Sequence, residues 1–396
     1  MPPTRILLLF CVAEAFSMAG FSTVPALLPA LQTEWRLSAG QAGALGGSYF
    51  AGYILTISWL SSLTDRIDAR KVFILGTMIS GAGSLCFAFL SHGLWSACLF
   101  QAVVGAGLAG TYMPGLRALT DRVETGLQPR FIAFYTSTFG IGASLSYASA
   151  GWIASQWSWQ TAFWIGGLQP LLAGALIWRF IGEKHPAIRP RRSLLHAQWL
   201  ALKDSKIRQY ILGYAAHCWE LFGFRAWIVA LLTYSGTQGH LPLSAPTLAA
   251  LVNLVGIPAS ILGNESATRG DRQRHIIRVM LLSGILAWAS GFAASCPWLL
   301  ILILPFYFGA VMADSAALTA GLVASTSTHE RGAAMAVYSL GGFGAGLLAP
   351  LCIGFILDLC GGQDHASAWL LACGCLGIWG LLHAFHIWRG RTSAQQ

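Results

Sequence analysis

Apolar residues fall in long runs along this chain, and polar residues are confined to the stretches between them. The runs cover residues 6–31, 39–60, 72–90, 94–116, 131–155 and 161–181, then 211–233, 243–262, 276–294, 298–324, 333–357 and 366–388. A hydrocarbon layer about 30 Å thick is crossed by about 20 apolar residues in helical form. Each run therefore predicts one spanning helix, and these are numbered as spans 1 to 12. The longest polar stretch lies between spans 6 and 7 and divides the chain six plus six. It predicts an N-terminal bundle over 1–182, a cytoplasmic central loop over 183–208 and a C-terminal bundle over 209–396. Within that loop the residues around Trp199 and Leu200 form a weakly amphipathic piece.

Composition supports the same reading. Charged residues make up 10% of the 396 positions and apolar ones 55%, where a soluble domain carries about 25% charged residues. The mean hydropathy is +0.61. So few charges cannot cover a soluble body of this size, and disorder, collagen and coiled coil each require a more polar or repetitive sequence.

The net charge of +9 would suit a nucleic-acid partner until the basic residues are placed. If every run crosses the membrane once, 22 of the 24 Lys and Arg residues fall on one side. Arg36 falls on the other side, and Arg225 lies inside span 7. Positive charge gathers on cytoplasmic loops, so both termini and the central loop are expected in the cytoplasm, as in an inner-membrane protein. The surplus is thus a topology signal, and no nucleic-acid partner is expected.

The nine cysteines include no CxxC pair, which disfavours a zinc or thiol-redox motif. They read as small packed side chains, and neither a metal nor a cofactor is expected. The first run is too long for a cleavable leader, carries Glu14 and lacks a small-residue cleavage site. There is no GxxxxGK[ST] loop, so ATP is not the direct driver.

The loop after span 2 reads Ser61-Ser62-Leu63-Thr64-Asp65-Arg66-Ile67-Asp68-Ala69-Arg70-Lys71. It resembles the major facilitator superfamily signature G-x-x-x-D-R-x-G-R-R/K, which Asp65, Arg66, Arg70 and Lys71 fit. Ser61, Asp68 and Ala69 depart from it. A weaker echo after span 8 contains Gly263-Asn264-Glu265 and Arg269-Gly270-Asp271-Arg272, as parallel internal repeats predict. The resemblance covers the whole chain and implies an all-α integral membrane protein with two six-helix pseudo-repeat bundles. It further implies a gating role for Asp65, Arg66, Arg70 and Lys71. Asp65 would sit by the start of span 11 near Ala333, where unpaired helix N–H groups favour a carboxylate. Two family features are absent: Gln101 stands where the span 4 motif has Arg, and span 5 lacks the Gly-Pro pair of drug antiporters.

An ionisable side chain at mid-membrane costs at least about 2.5–3.5 kcal/mol. Four persist at depth: Glu14 in span 1, Glu220 and Arg225 in span 7, and Asp314 in span 10. The resemblance places spans 1, 4, 7 and 10 around a central cavity. At about 100° per residue, Tyr210, Tyr214, His217, Glu220 and Arg225 share one arc of span 7, with Cys218, Trp219 and Phe222 outside it. Such a stripe is expected to face water, substrate or another polar helix. Glu14-Ala15-Phe16 repeats as Glu220-Leu221-Phe222, whereas Arg225 and Asp314 have no charged counterpart in the other half.

The candidate substrate and proton-coupling residues are therefore Glu14, Tyr214, His217, Glu220, Arg225 and Asp314. Arg225, a permanent cation, would hold an anionic group or pair with Asp314. The expected function is secondary transport of a small organic anion or zwitterion by alternating access, coupled to protons, by a monomer in the lipid bilayer. Two other readings stay open. The carboxylates would also suit a proton-driven drug exporter, and Met18, Met113, Met312, Cys218 and His217 would suit copper. An embedded enzyme is not expected, because adjacent Cys218 and His217 point about 100° apart.

Overall fold

The computed structural model describes residues 1–124, 126–184, 194–327 and 331–393. The basic cluster Arg189, Arg191 and Arg192 lies outside them. The described secondary structure is helical. Span 1 forms α1 (Pro3–Met18) and α2 (Thr23–Trp35). Spans 2 to 6 form α3 (Ala39–Leu63), α4 (Ala69–Leu90), α5 (Leu94–Thr120), α6 (Gln128–Gln156) and α7 (Trp159–Phe180). The amphipathic piece of the central loop is a helix of its own, α8 (Leu194–Lys203). Spans 7 to 9 form α9 (Ser205–Gln238), α10 (Ala245–Arg269) and α11 (Arg272–Phe292). Span 10 is divided into α12 (Pro297–Ala313) and α13 (Ser315–Ser325), and spans 11 and 12 form α14 (Arg331–Leu359) and α15 (Ala366–Ser393).

Among the described residues, twelve helical spans thus match the twelve apolar runs, two of them broken. Ten combine spanning length with high mean hydropathy. The other two, α3 and α6, are 25 and 29 residues long. Their Gly, Ser and Tyr residues dilute the hydropathy without shortening the helix.

The chain divides into two compact units, Met1–Leu37 with Ser48–Pro190, and Ser38–Gly47 with Arg191–Gln396. In the first, α4 packs along α5 and α7, over a core that includes Phe10, Phe73, Tyr135 and Ile177. In the second, α9 packs against α10, α12, α13, α14 and α15, and α11 lies along α15.

The internal repeat is visible in how α4 and α11 are built. Each starts at an aspartate whose side chain accepts a backbone N–H of the first turn: Asp68 from Arg70 and Asp271 from Arg274. Thirteen residues beyond each cap stands a glycine at a helix crossing. A methyl group at Gly81 would sit 2.9 Å from the Gly167 carbonyl oxygen of α7. At the matching place in the second unit, a methyl group at Gly377 of α15 would sit 2.7 Å from the Gly284 Cα. Backbone contact this close admits no Cβ, so the same small-residue crossing recurs in both units.

The start of α3 belongs to the second unit, and Asp358 at the end of α14 caps it. Its carboxylate accepts from the Ala39 and Gly40 N–H groups at 2.8 and 2.7 Å and from the Ser38 hydroxyl at 2.8 Å. Helix N-termini leave such N–H groups unpaired, and a carboxylate satisfies both the bonds and the dipole.

Candidate functional site

In the first unit Glu14 is fully buried on α1. Its Oε2 accepts from the Tyr135 hydroxyl of α6 at 2.8 Å and from Ser17 at 3.2 Å. Tyr112 of α5 stacks on Tyr135, and its carbonyl oxygen lies 3.1 Å from the Tyr135 hydroxyl. Ser17 also donates to the Glu14 carbonyl at 2.9 Å. Just beyond, span 1 breaks at 19–22, and the Ser22 N–H is taken by the Ser146 hydroxyl of α6 at 2.9 Å.

The signature loop forms a polar knot in the same unit. Asp65 accepts from Arg117 of α5 at 2.6 Å, and Thr64 accepts from the same nitrogen at 2.8 Å. Arg117 is thus the partner this structure provides for Asp65. Arg66 is exposed. Arg70 is buried and donates to the carbonyls of Ile177 and Trp178 at the end of α7. Lys71 pairs with Glu183 at 3.2 Å, both largely exposed.

Asp68, a departure from the signature, is the hub of the knot. Its carboxylate meets Arg122 at 2.6 Å, and both side chains are buried. It also accepts from the Lys184 N–H at 2.8 Å, while Arg122 donates to the Gly182 carbonyl at 2.8 Å. Burial disfavours the Asp68 carboxylate. The Lys184 and Arg70 N–H groups and the Arg122 guanidinium outweigh it and hold the carboxyl below the usual aspartate range.

In the second unit α9 carries the charged residues. Glu220 accepts from Ser283 of α11 at 3.0 Å, and the buried Tyr307 hydroxyl of α12 is its neighbour. Each unit therefore holds one deep glutamate among serine and tyrosine hydroxyls, the structural form of the Glu14/Glu220 repeat.

His217 Nδ1 lies 2.7 Å from Asp314 Oδ1, with both side chains buried. Neither atom has a hydrogen-bond partner among the described residues, so the contact is one of proximity between an imidazole and a carboxylate. Asp314 stands where span 10 breaks, ending α12 and starting α13. Arg225 donates through Nε to Asn253 of α10 at 2.9 Å, and its guanidinium lies over the Phe308 ring at 5.5 Å. Asn253 is fixed in turn by a bond to the Ala249 carbonyl at 2.9 Å. Tyr214 stacks face to face on Tyr338 of α14, centroids 3.8 Å apart, and also on His217.

The carboxylate beside His217 is Asp314, and the contacts of Arg225 include the Asn253 amide and the Phe308 ring. The polar residues of α9 face neighbouring helices. Every residue from Leu221 to Leu232 is buried, and so is Cys218, outside the expected arc. The helix is enclosed by neighbours, and its polar groups are met by side chains from α10, α11 and α12.

Sequence reasoning singled out the deep charges and missed the groups that receive them: Ser17, Tyr135, Asn253, Ser283 and Tyr307. Asn253 was findable, as an amide in an otherwise apolar stretch of span 8. Serine and tyrosine are ordinary in such helices and carry no signal until the fold aligns them.

The model of the Major Facilitator Superfamily matches residues 10–313. The chain belongs to this superfamily. It is an integral membrane protein of a family of transporters and is not an enzyme.

Among curated relatives it is 32% identical over 178 residues to the 3-(3-hydroxy-phenyl)propionate transporter of Escherichia coli (strain K12), covering 42% of this chain and 40% of that one. It is 24% identical over 290 residues to the gentisate transporter of Corynebacterium glutamicum, covering 70% and 62%. It is 22% identical over 160 residues to the 4-hydroxybenzoate transporter PcaK of Acinetobacter baylyi, covering 40% and 35%. The matched regions thus span less than two thirds of these relatives' own length.

Among solved structures, a bacterial homolog of the human lysosomal transporter Spinster has a TM-score of 0.81 at 16% identity, covering 98% of this chain and 97% of its own. The POT family transporter PepTSo has a TM-score of 0.81 at 14% identity, covering 100% and 99%. At these identities the likeness establishes the fold.

Proposed function

We propose that this protein is a proton-coupled secondary transporter of a small aromatic carboxylate. It works as a monomer in the cytoplasmic membrane, with both termini on the cytoplasmic side. The observation that carries the reading is Arg225, a cation held deep in α9 against the face of Phe308 and braced by Asn253. A guanidinium offers a fork of donors to a carboxylate. The three relatives are named for transport of hydroxylated aromatic acids. That favours the organic-anion reading over export of a cationic drug.

Coupling is assigned to the deep carboxyl groups of the second unit. A buried carboxyl that changes partners during the cycle binds a proton in one state and releases it in the other. Asp314 against His217, and Glu220 between Ser283 and Tyr307, are the two groups so placed in the second unit.

Purified protein in liposomes, under an imposed inward proton gradient, should accumulate at least one of 4-hydroxybenzoate, gentisate and 3-hydroxyphenylpropionate. Arg225→Ala should abolish that uptake, and Arg225→Lys should retain a small fraction of it. Wild-type flux of none of these acids, or full uptake by Arg225→Ala, would overturn the proposal.

A further inference from the structure

We propose that α8 is a docking helix for anionic phospholipid headgroups. Its inner side is already used. Ala201 and Leu202 pack with Ile207 and Ile211 of α9, Leu322 of α13 and Ala334 of α14. The outer side pairs apolar bulk with positive charge. Trp199 and Leu200 are 57% and 46% exposed, and the Lys203 ammonium lies over the Trp199 ring at 5.3 Å. Lys206 and Arg208 are exposed on the first turn of α9.

Chain continuity sets the level of this surface. One residue, Asp204, separates α8 from α9, a spanning helix. A helix tied that closely to the end of a span lies at the membrane boundary. Asp204 does not neutralise the face, because its carboxylate caps α9, accepting from the Lys206 and Ile207 N–H groups at 2.8 and 3.0 Å. Lys203 therefore stands against a tryptophan, and exposed Lys206 and Arg208 follow within five residues, the Arg208 guanidinium donating to the Leu202 carbonyl at 3.2 Å. Tryptophan favours the headgroup level, and lysine and arginine stems lie along apolar surface while their heads reach for phosphate.

The same pairing marks other helix ends. Arg179 lies over Phe180 at 5.4 Å at the end of α7, and Arg389 over Phe385 at 5.7 Å near the end of α15. What distinguishes α8 is that it spans nothing, so its outer side has no hydrocarbon-crossing task. Each basic group near an anionic surface contributes about fivefold to partitioning.

The test is hydrogen exchange on the full chain in nanodiscs of pure phosphatidylcholine and of phosphatidylcholine with 30% phosphatidylglycerol. Peptides covering α8 and the start of α9 should exchange about tenfold more slowly with phosphatidylglycerol, while the spans stay unchanged. Added salt should reverse the slowing, because headgroup attraction is screened. The triple variant K203Q/K206Q/R208Q, which keeps Asp204, should lose it. Equal exchange in both lipids, or slowing that survives both salt and the triple variant, overturns the proposal. If the variant loses protection in its spans, the salt titration of the wild-type protein decides.

Discussion

His217 Nδ1 and Asp314 Oδ1 meet at 2.7 Å, and neither atom has a hydrogen-bond partner among the described residues. Removing one side chain strands the other, and an unsatisfied buried polar group costs about 1–3 kcal/mol. His217→Ala and Asp314→Asn should therefore each destabilise the protein, and the double variant should lose less than their sum. The coupling expected from a thermal-melt double-mutant cycle is about 1–3 kcal/mol; additivity would show that the contact contributes nothing. Glu220→Gln keeps a side chain that Ser283 can still bond but cannot carry a proton. It should lose gradient-driven accumulation while keeping substrate exchange, and full accumulation would remove Glu220 from coupling. At this scale the deep charges were legible because each one is expensive in an apolar run. Their partners were not, since pairing depends on how separate helices are rotated.

Among the elements, α4 owes its start to Asp68, where the family signature carries glycine. The buried pair with Arg122 joins this cap to the end of α5 and to Gly182 and Lys184 beyond α7. Breaking a buried pair by removing one partner costs about 3–5 kcal/mol, so Asp68→Ala should lower thermal stability by that order. The pH dependence has a definite sign. The folded carboxyl lies below its unfolded value near 3.9, so its stabilisation is complete above that pH and is lost as acid titrates the folded group. Between pH 6 and pH 3 the wild-type melting temperature should fall more steeply than that of Asp68→Asn; parallel curves would remove Asp68 from the acid response. The helices themselves were legible, because twenty apolar residues in sequence have few other solutions. The breaks in spans 1 and 10 were not, since both halves of each span are apolar and the interruption lies in backbone geometry. The weak amphipathic signal at Trp199 did mark a real helix, α8.

For the whole molecule, the segregation of 22 of 24 basic residues to one side predicts the orientation. A fluorescent reporter that matures only in the cytoplasm should light up at either terminus, and a periplasm-dependent phosphatase fused there should stay inactive. The reverse pattern at either end would overturn the assignment. Taken alone, the sequence determined that the chain lives in lipid, crosses it in twelve runs, repeats itself across its two halves and keeps four deep charges. Those follow from one-dimensional quantities: run length, spacing and the cost of an ion in hydrocarbon. Only the tertiary structure decided that Asp314 meets His217, that Arg225 rests on Phe308 and Asn253, and that Asp68 ties three helices together. Such pairings join residues tens to more than a hundred positions apart, and their geometry is set by helix rotation and close glycine crossings that no local pattern encodes.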